Sequence, residues 1–125
     1  MAEDLIPEDV SDFVINHIDS IAHLEALLLL RGNPDESWTA DNTARRLYIS
    51  ERETANVLSR LCSLGFLMVE DEVFRYACKD PELEDMVGRL EKLYARHLIP
   101  VTNLIHTKPS RIREFADAFK LRKDT

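Results

Sequence analysis

The chain has 125 residues, of which 45% are apolar and 31% are charged, and its formal net charge is −7. This length suits one globular domain with a real core, and the composition excludes a disordered or low-complexity chain. The longest apolar run, Ala26 to Leu30, is far shorter than the roughly 20 residues that span a bilayer; with an acidic N-terminus unlike a secretory signal, this predicts a cytoplasmic protein without a membrane helix.

The first two predicted elements are helices. Pro7 suits a first helical turn, and apolar residues recur at helical spacing from there to Ile18. Asp19 or Ser20 can cap a second helix, whose apolar residues cover more than half of its circumference. We expect this second helix at the centre of the domain, ending where Gly32 supplies a left-handed C-cap.

A short strand and two further helices are predicted next. Residues 37–39 suit a short strand, and Thr39 can cap a helix from Ala40 to Leu47. Ser50 and Glu53 have the spacing of a capping box, in which each side chain satisfies the other's backbone N–H. The helix that follows ends at Gly65, and one of its faces is apolar: Thr54, Val57, Leu58, Leu61 and Leu64.

The C-terminal half begins with a hairpin pattern and continues with helices. Residues 66–76 read as two β-rich runs around a polar centre without glycine, so Asp71 must adopt the left-handed turn conformation. Asp80 and Pro81 then open a long helix, which Pro100 must kink or divide. A last helix with a narrow apolar stripe is predicted after Ser110.

The long helix carries a seam of residues that alternate in steps of four and three, as in a coiled coil. This seam is either intramolecular core or a dimer contact. We favour the dimer because the helix follows a compact unit that already has its own core. The seam consists of Leu83, Val87, Leu90, Tyr94, His97, Val101 and Leu104.

The order of these elements is that of a winged helix-turn-helix. The run from Ile49 to Leu67, with its Ser50 cap and with Gly65 before the hairpin, resembles the recognition helix and wing entry of bacterial winged-helix transcription regulators. The resemblance implies an α+β, mostly α fold with the winged helix-turn-helix in residues 20–79, and the charge and spacing of the residues before Ser20 predict an acidic N-terminal helix in residues 1–19. Residues 80–125 then form a C-terminal helical region for dimerisation.

The resemblance also implies double-stranded DNA as the partner, with the helix from Glu51 to Leu64 in the major groove and the hairpin loop as the wing. Arginine and asparagine pair bidentately with guanine and adenine, and arginines on the preceding helix reach phosphates. The acids at positions 70–72 oppose this binding. The candidate DNA-binding residues are Arg45, Arg46, Arg52, Asn56, Ser59 and Arg60.

The sequence contains no motif typical of catalysis or metal binding. The histidines are scattered, Cys62 and Cys78 form no C-x-x-C pair, and no nucleophile triad or glycine-rich phosphate loop is present. We therefore expect no enzyme, cofactor or metal. The favoured hypothesis is a homodimeric DNA-binding regulator, and the alternative is a winged-helix module that binds a protein instead.

Overall fold

The computed structural model describes residues 5–107, a mostly helical fold with one two-stranded antiparallel sheet. A helix labelled α6 covers residues 98–107, where the described part of the chain ends. The last helix predicted from the sequence, after Ser110, lies outside the described residues. The other elements are α1 (Glu8–His17), α2 (Ile21–Gly32), α3 (Ala40–Leu47), α4 (Glu51–Ser63), β1 (Leu67–Glu70), β2 (Val73–Tyr76) and α5 (Pro81–Arg96).

The core is built around α2, as its broad apolar surface predicts. Leu27 of α2, Leu58 of α4 and Leu90 of α5 have no exposed surface and belong to one hydrophobic cluster, which extends along the chain from Ile6 to Ile105. Burying a leucine fully contributes about 1.5 to 3 kcal/mol relative to leaving it exposed. The helix-turn-helix, the hairpin and α5 are therefore held by one shared core.

Helix starts follow the predicted caps, with one correction. The Ser50 hydroxyl accepts a hydrogen bond from the Glu53 N–H at 3.0 Å, but among the described residues the Glu53 side chain returns no bond to Ser50. Its carboxylate is exposed, where water competes for it. The complete capping box lies one helix earlier, where Thr39 and Asn42 exchange bonds of 3.1 and 2.8 Å.

The end of α2 differs from the prediction. Gly32 is the last helical residue and is not left-handed; Asn33, with a φ of −135°, ends the helix. The Asn33 side-chain amide donates to the Leu29 carbonyl at 2.9 Å, which satisfies one of the carbonyls left open at a helix end. The left-handed glycine is instead Gly65, whose φ of 90° turns the chain from α4 toward β1.

The hairpin is a tight one with a strained turn. Glu70 pairs with Val73, so only Asp71 and Glu72 form the loop, and their φ values are 50° and 66°. Positive φ at both central residues makes a type I′ turn, which matches the twist of the strands. Glu72 thus shares the left-handed conformation predicted for Asp71 alone.

The short strand predicted at residues 37–39 is reduced to a single bridge. The Phe74 N–H donates to the Trp38 carbonyl at 2.7 Å, and the Trp38 side chain is 2% exposed. The predicted core position of Trp38 is confirmed. This bridge ties β2 to the segment that enters α3.

Pro100 does divide the long helix. The first part, α5, ends at Arg96 with His97 as its C-cap, and α6 begins at residue 98, so Pro100 falls within the first turn of α6. A proline there removes no needed hydrogen bond, whereas within a continuous helix it would clash with the carbonyl of Arg96.

The predicted dimer seam is largely core in the single chain. Val87, Leu90 and Val101 have no exposed surface, and Leu104 is also buried, because α5 and α6 cover surface that the other helices leave open. The structure thus takes the intramolecular alternative for these four. Leu83, Tyr94 and His97 are half-buried, and the Tyr94 hydroxyl bonds to Glu25 of α2 at 2.6 Å.

A polar cluster joins three elements near the hairpin. Arg31 of α2 donates to Glu84 and Glu91 of α5, each at 2.9 Å, and the hydroxyl of Tyr76 in β2 donates to the other oxygen of Glu84. Burial raises the pKa of Glu84, but the hydrogen bonds from Tyr76 and Arg31 outweigh it, so the pKa is lowered. We call Arg31, Tyr76, Glu84 and Glu91 the Arg31 cluster.

Substituting Gly65 and Gly32 by alanine, one at a time, separates the cost of a left-handed backbone from the effects of packing. A Cβ added at Gly65 or Gly32 meets no atom within 4 Å, so neither substitution is hindered by packing. We expect Gly65→Ala to lower the free energy of unfolding by about 1 to 2 kcal/mol, the cost of left-handed backbone. Gly32→Ala should leave it unchanged or raise it by up to about 1 kcal/mol. Urea denaturation measures both, and equal effects would contradict the assignment.

The Arg31 cluster predicts a pH dependence of stability. Because the folded pKa of Glu84 lies below the ordinary 4.5, its contribution is present above pH 4.5 and is lost as the pH falls through the lowered value. Glu84→Gln should therefore flatten the acid side of the stability profile, measured by urea denaturation at a series of pH values. Glu82→Gln, an exposed position on the same helix, is the control. An unchanged slope in Glu84→Gln would refute the prediction.

Candidate nucleic-acid interface

The helix α4 presents one side to the core and the other to solvent. Leu58 and Leu61 are fully buried, whereas Arg52, Asn56 and Arg60 are exposed. These three are spaced four residues apart, so they form one stripe along the helix. Ser59 is exposed beside the stripe. We call Arg52, Asn56, Ser59 and Arg60 the α4 face.

Arg60 has a partner outside its own helix. Its Nε lies 3.2 Å from Oδ2 of Asp19, in the turn between α1 and α2, and both side chains are about half exposed. A guanidinium has five N–H donors in a fixed plane. A single bond through Nε therefore orients the group and leaves other donors for a further acceptor.

The two arginines of α3 also make contacts within the chain. Arg45 lies 3.0 Å from the carboxylate of Asp41, one turn earlier, and both are exposed. Such surface ion pairs contribute little and are readily exchanged for another anion. The Arg46 guanidinium lies 5.5 Å from the centroid of the Trp38 ring, a cation–π contact.

The hairpin follows α4 closely. The Phe66 N–H donates to the Leu61 carbonyl of α4 at 3.1 Å, immediately before β1 starts. The tip of the hairpin is formed by Glu70, Asp71 and Glu72, which are all exposed. A phosphate that approached this wing would therefore meet three carboxylates.

Of the two ion pairs that the candidate residues make, one could be predicted from the sequence and the other could not. Asp41 and Arg45 are four residues apart on one helix, a spacing that itself signals an ion pair. Asp19 and Arg60 are 41 residues apart, and no local signal joins them. Sequence reasoning considered Asp19 only as a helix cap, a role that Ser20 fills.

Three other features concern metal binding, membrane insertion and thiol reactivity. Within residues 5–107, no group of three or more His, Cys, Asp or Glu side chains is arranged to hold a metal ion. In the same range, no single helix combines the length and apolarity needed to cross a membrane. Cys62 and Cys78 are half-buried free thiols, and burial raises the pKa of both, which makes the thiolate less accessible.

The chain has a structural likeness among known proteins but no sequence relative by the two comparisons that follow. No family model matches the chain, and no curated protein matches it. Among solved structures, it is similar to a multiple antibiotic-resistance repressor (MarR) from Listeria monocytogenes 4b F2365, with 16% sequence identity and a TM-score of 0.47. The likeness covers 85% of this chain and 76% of that one.

Proposed function

We propose that the chain is a DNA-binding transcription regulator that inserts α4 into the major groove. The observation that carries this proposal is the exposed stripe of Arg52, Asn56 and Arg60, opposite the buried Leu58 and Leu61. In a helix-turn-helix, the second helix enters the groove and its side chains reach the base edges. The proposal includes a cytoplasmic location, where regulators of the bacterial family that the sequence resembles meet the chromosome.

Each residue of the α4 face has a role suited to its chemistry. Arg52 and Arg60 pair with the acceptor edge of guanine, and Asn56 pairs with adenine through its amide. Ser59 donates to or accepts from a neighbouring base. On α3, Arg45 and Arg46 are exposed and supply phosphate contacts, which position the helix without reading sequence.

The charge of the protein makes a second copy important for this function. Affinity for duplex DNA depends on neutralising phosphates, and a net charge of −7 with an acidic wing works against it. Two copies double the phosphate contacts. We therefore propose a homodimer assembled by residues 80–125, with Leu98 and Ile99, which are 52% and 68% exposed, at its interface.

The dimer is tested by sedimentation velocity at tens of micromolar protein. We expect the unaltered chain to sediment as a dimer and the Leu98→Lys/Ile99→Lys variant as a folded monomer, because exposed apolar surface is lost without disturbing the core. Leu5→Lys, which replaces another exposed apolar side chain, is the control and should stay dimeric. A monomer for the unaltered chain would contradict the proposal.

The DNA-binding prediction concerns Arg52 and Arg60. Replacing both by Gln should weaken binding to a selected duplex by about 2 to 6 kcal/mol, since each good base contact contributes about 1 to 3 kcal/mol. Fluorescence anisotropy at low and physiological salt measures this, after selection from a genomic DNA library. Lys92→Gln/Arg96→Gln makes the same change in net charge at two exposed positions of α5 and should cost much less.

In the same assay, the wing acids should act in the opposite direction. Changing Glu70 and Glu72 to Gln and Asp71 to Asn should raise affinity for any duplex. The salt dependence should change only slightly, because neutral residues release no counterions. If the parent and all variants stay unbound at low salt, where electrostatic binding is strongest, the DNA proposal is wrong.

The second candidate function is a protein-interaction module, and the wing is the observation that favours it. Its tip is acidic, and Met68 and Val69 on β1 are each about half exposed, so the hairpin presents an acidic and partly apolar surface to solvent. A basic protein partner would complement that surface. This function takes the place of DNA binding if the low-salt result is negative.

A further inference from the structure

Tyr48, in the turn between α3 and α4, combines a strained backbone with an exposed aromatic ring. Its φ and ψ are 59° and 40°, and its side chain is 93% exposed. The left-handed conformation is unfavourable for a residue with a Cβ, and glycine or asparagine usually fills it after a helix. A bulky aromatic residue there is an outlier that points to a function.

The turn requires this backbone but not this side chain. The N–H groups of Tyr48 and Ile49 both donate to the Ala44 carbonyl, which closes the end of α3 and needs a left-handed residue at position 48. Glycine would satisfy the same geometry without strain. The tyrosine side chain therefore adds nothing that the turn itself demands.

Contacts inside the chain do not account for the side chain either. Tyr76 and Tyr94 are half-buried, and their hydroxyls bond to Glu84 and Glu25. The Tyr48 hydroxyl, by contrast, has no hydrogen-bond partner among residues 5–107, and its ring stacks on no other ring there. Within residues 5–107, no hydrogen bond or ring stacking of the Tyr48 side chain thus offsets its backbone strain or its exposure.

The position of Tyr48 indicates what it contacts. It lies two residues before Ser50, the N-cap of α4, and so at the end of the helix that a helix-turn-helix directs into the groove. Arg45 and Arg52 flank it along the chain and are exposed. The phenol hydroxyl can donate a hydrogen bond to a phosphate oxygen, so the side chain suits a polyanion better than a purely apolar partner.

We propose that Tyr48 is a DNA-contacting residue whose hydroxyl donates a hydrogen bond to a backbone phosphate at the edge of the groove that α4 enters. This inference rests on the proposed function. A tyrosine–phosphate bond positions the protein but reads no base. Because tyrosine is neutral, the contact displaces no counterion and contributes affinity that is independent of both DNA sequence and salt.

The experiment compares Tyr48→Phe and Tyr48→Gly with the unaltered chain. The probes are a mixed-sequence duplex and a duplex selected by the protein, each titrated at several salt concentrations. Urea denaturation of every variant measures stability.

We expect Tyr48→Phe to weaken binding to both duplexes by about tenfold, as for a lost hydrogen bond to a charged group. Its unfolding midpoint and the slope of affinity against salt should equal those of the parent. Tyr48→Gly should bind at least as weakly while resisting urea as well as or better than the parent, because glycine relieves the backbone strain.

Three results would overturn the inference. Tyr48→Phe binding as tightly as the parent removes the proposed contact. A lower unfolding midpoint or a changed salt slope in Tyr48→Phe makes the effect structural or electrostatic instead. A parent that binds neither duplex at low salt overturns the DNA function together with this contact, whereas a binding parent with an unaffected variant overturns the Tyr48 contact alone.

Discussion

The burial of Leu58 and Leu61 determines how α4 is rotated about its own axis, and the whole α4 face depends on that rotation. Both leucines have no exposed surface. Because a helix turns about 100° per residue, a shift of one position would bring a leucine toward water at a cost of about 1.5 to 3 kcal/mol. Arg52, Asn56 and Arg60 are thus held outward by the packing on the opposite side.

Ion pairs within the chain reduce the positive charge that the α4 face and its surroundings offer to DNA. Asp19 orients Arg60 and Asp41 holds Arg45, so two of the cations on or next to the α4 face are already partly neutralised. Exposed pairs of this kind are worth about 0 to 1 kcal/mol, and a phosphate can therefore replace the carboxylate at little cost. The acidic wing allows no such exchange, since its carboxylates only repel an approaching phosphate. The wing thus limits affinity more than the ion pairs do.

Local patterns in the sequence predicted most of the fold, and the failures share a cause. The caps at Ser20, Thr39 and Ser50 were predictable because a cap depends on residues within one turn. The prediction of a left-handed Gly32 was wrong, because the side chain of Asn33 caps the end of the helix instead. The seam on α5 was ambiguous because an apolar stripe looks the same whether it meets a second copy or its own chain. Exposure of the α4 face followed from its helical period, but the pairing of Arg60 with Asp19 depends on tertiary structure alone.

The Arg31 cluster fixes the position of the wing, as core packing fixes the rotation of α4. Tyr76 anchors β2 to Glu84 of α5, and Arg31 anchors that glutamate to α2, so the hairpin is tied to the core helix and to the helix leading to α6. A Cβ on Gly88 would lie 3.3 Å from the Arg31 guanidinium, so the glycine lets the arginine pack closely against α5. Partial burial of these charges makes breaking one bond more costly than it would be in water. The wing therefore does not move independently of the helices. A displacement of α5 relative to α2 must either break the Arg31 cluster or move the base of the hairpin. Movement of the base would change the position of the acidic tip relative to α4.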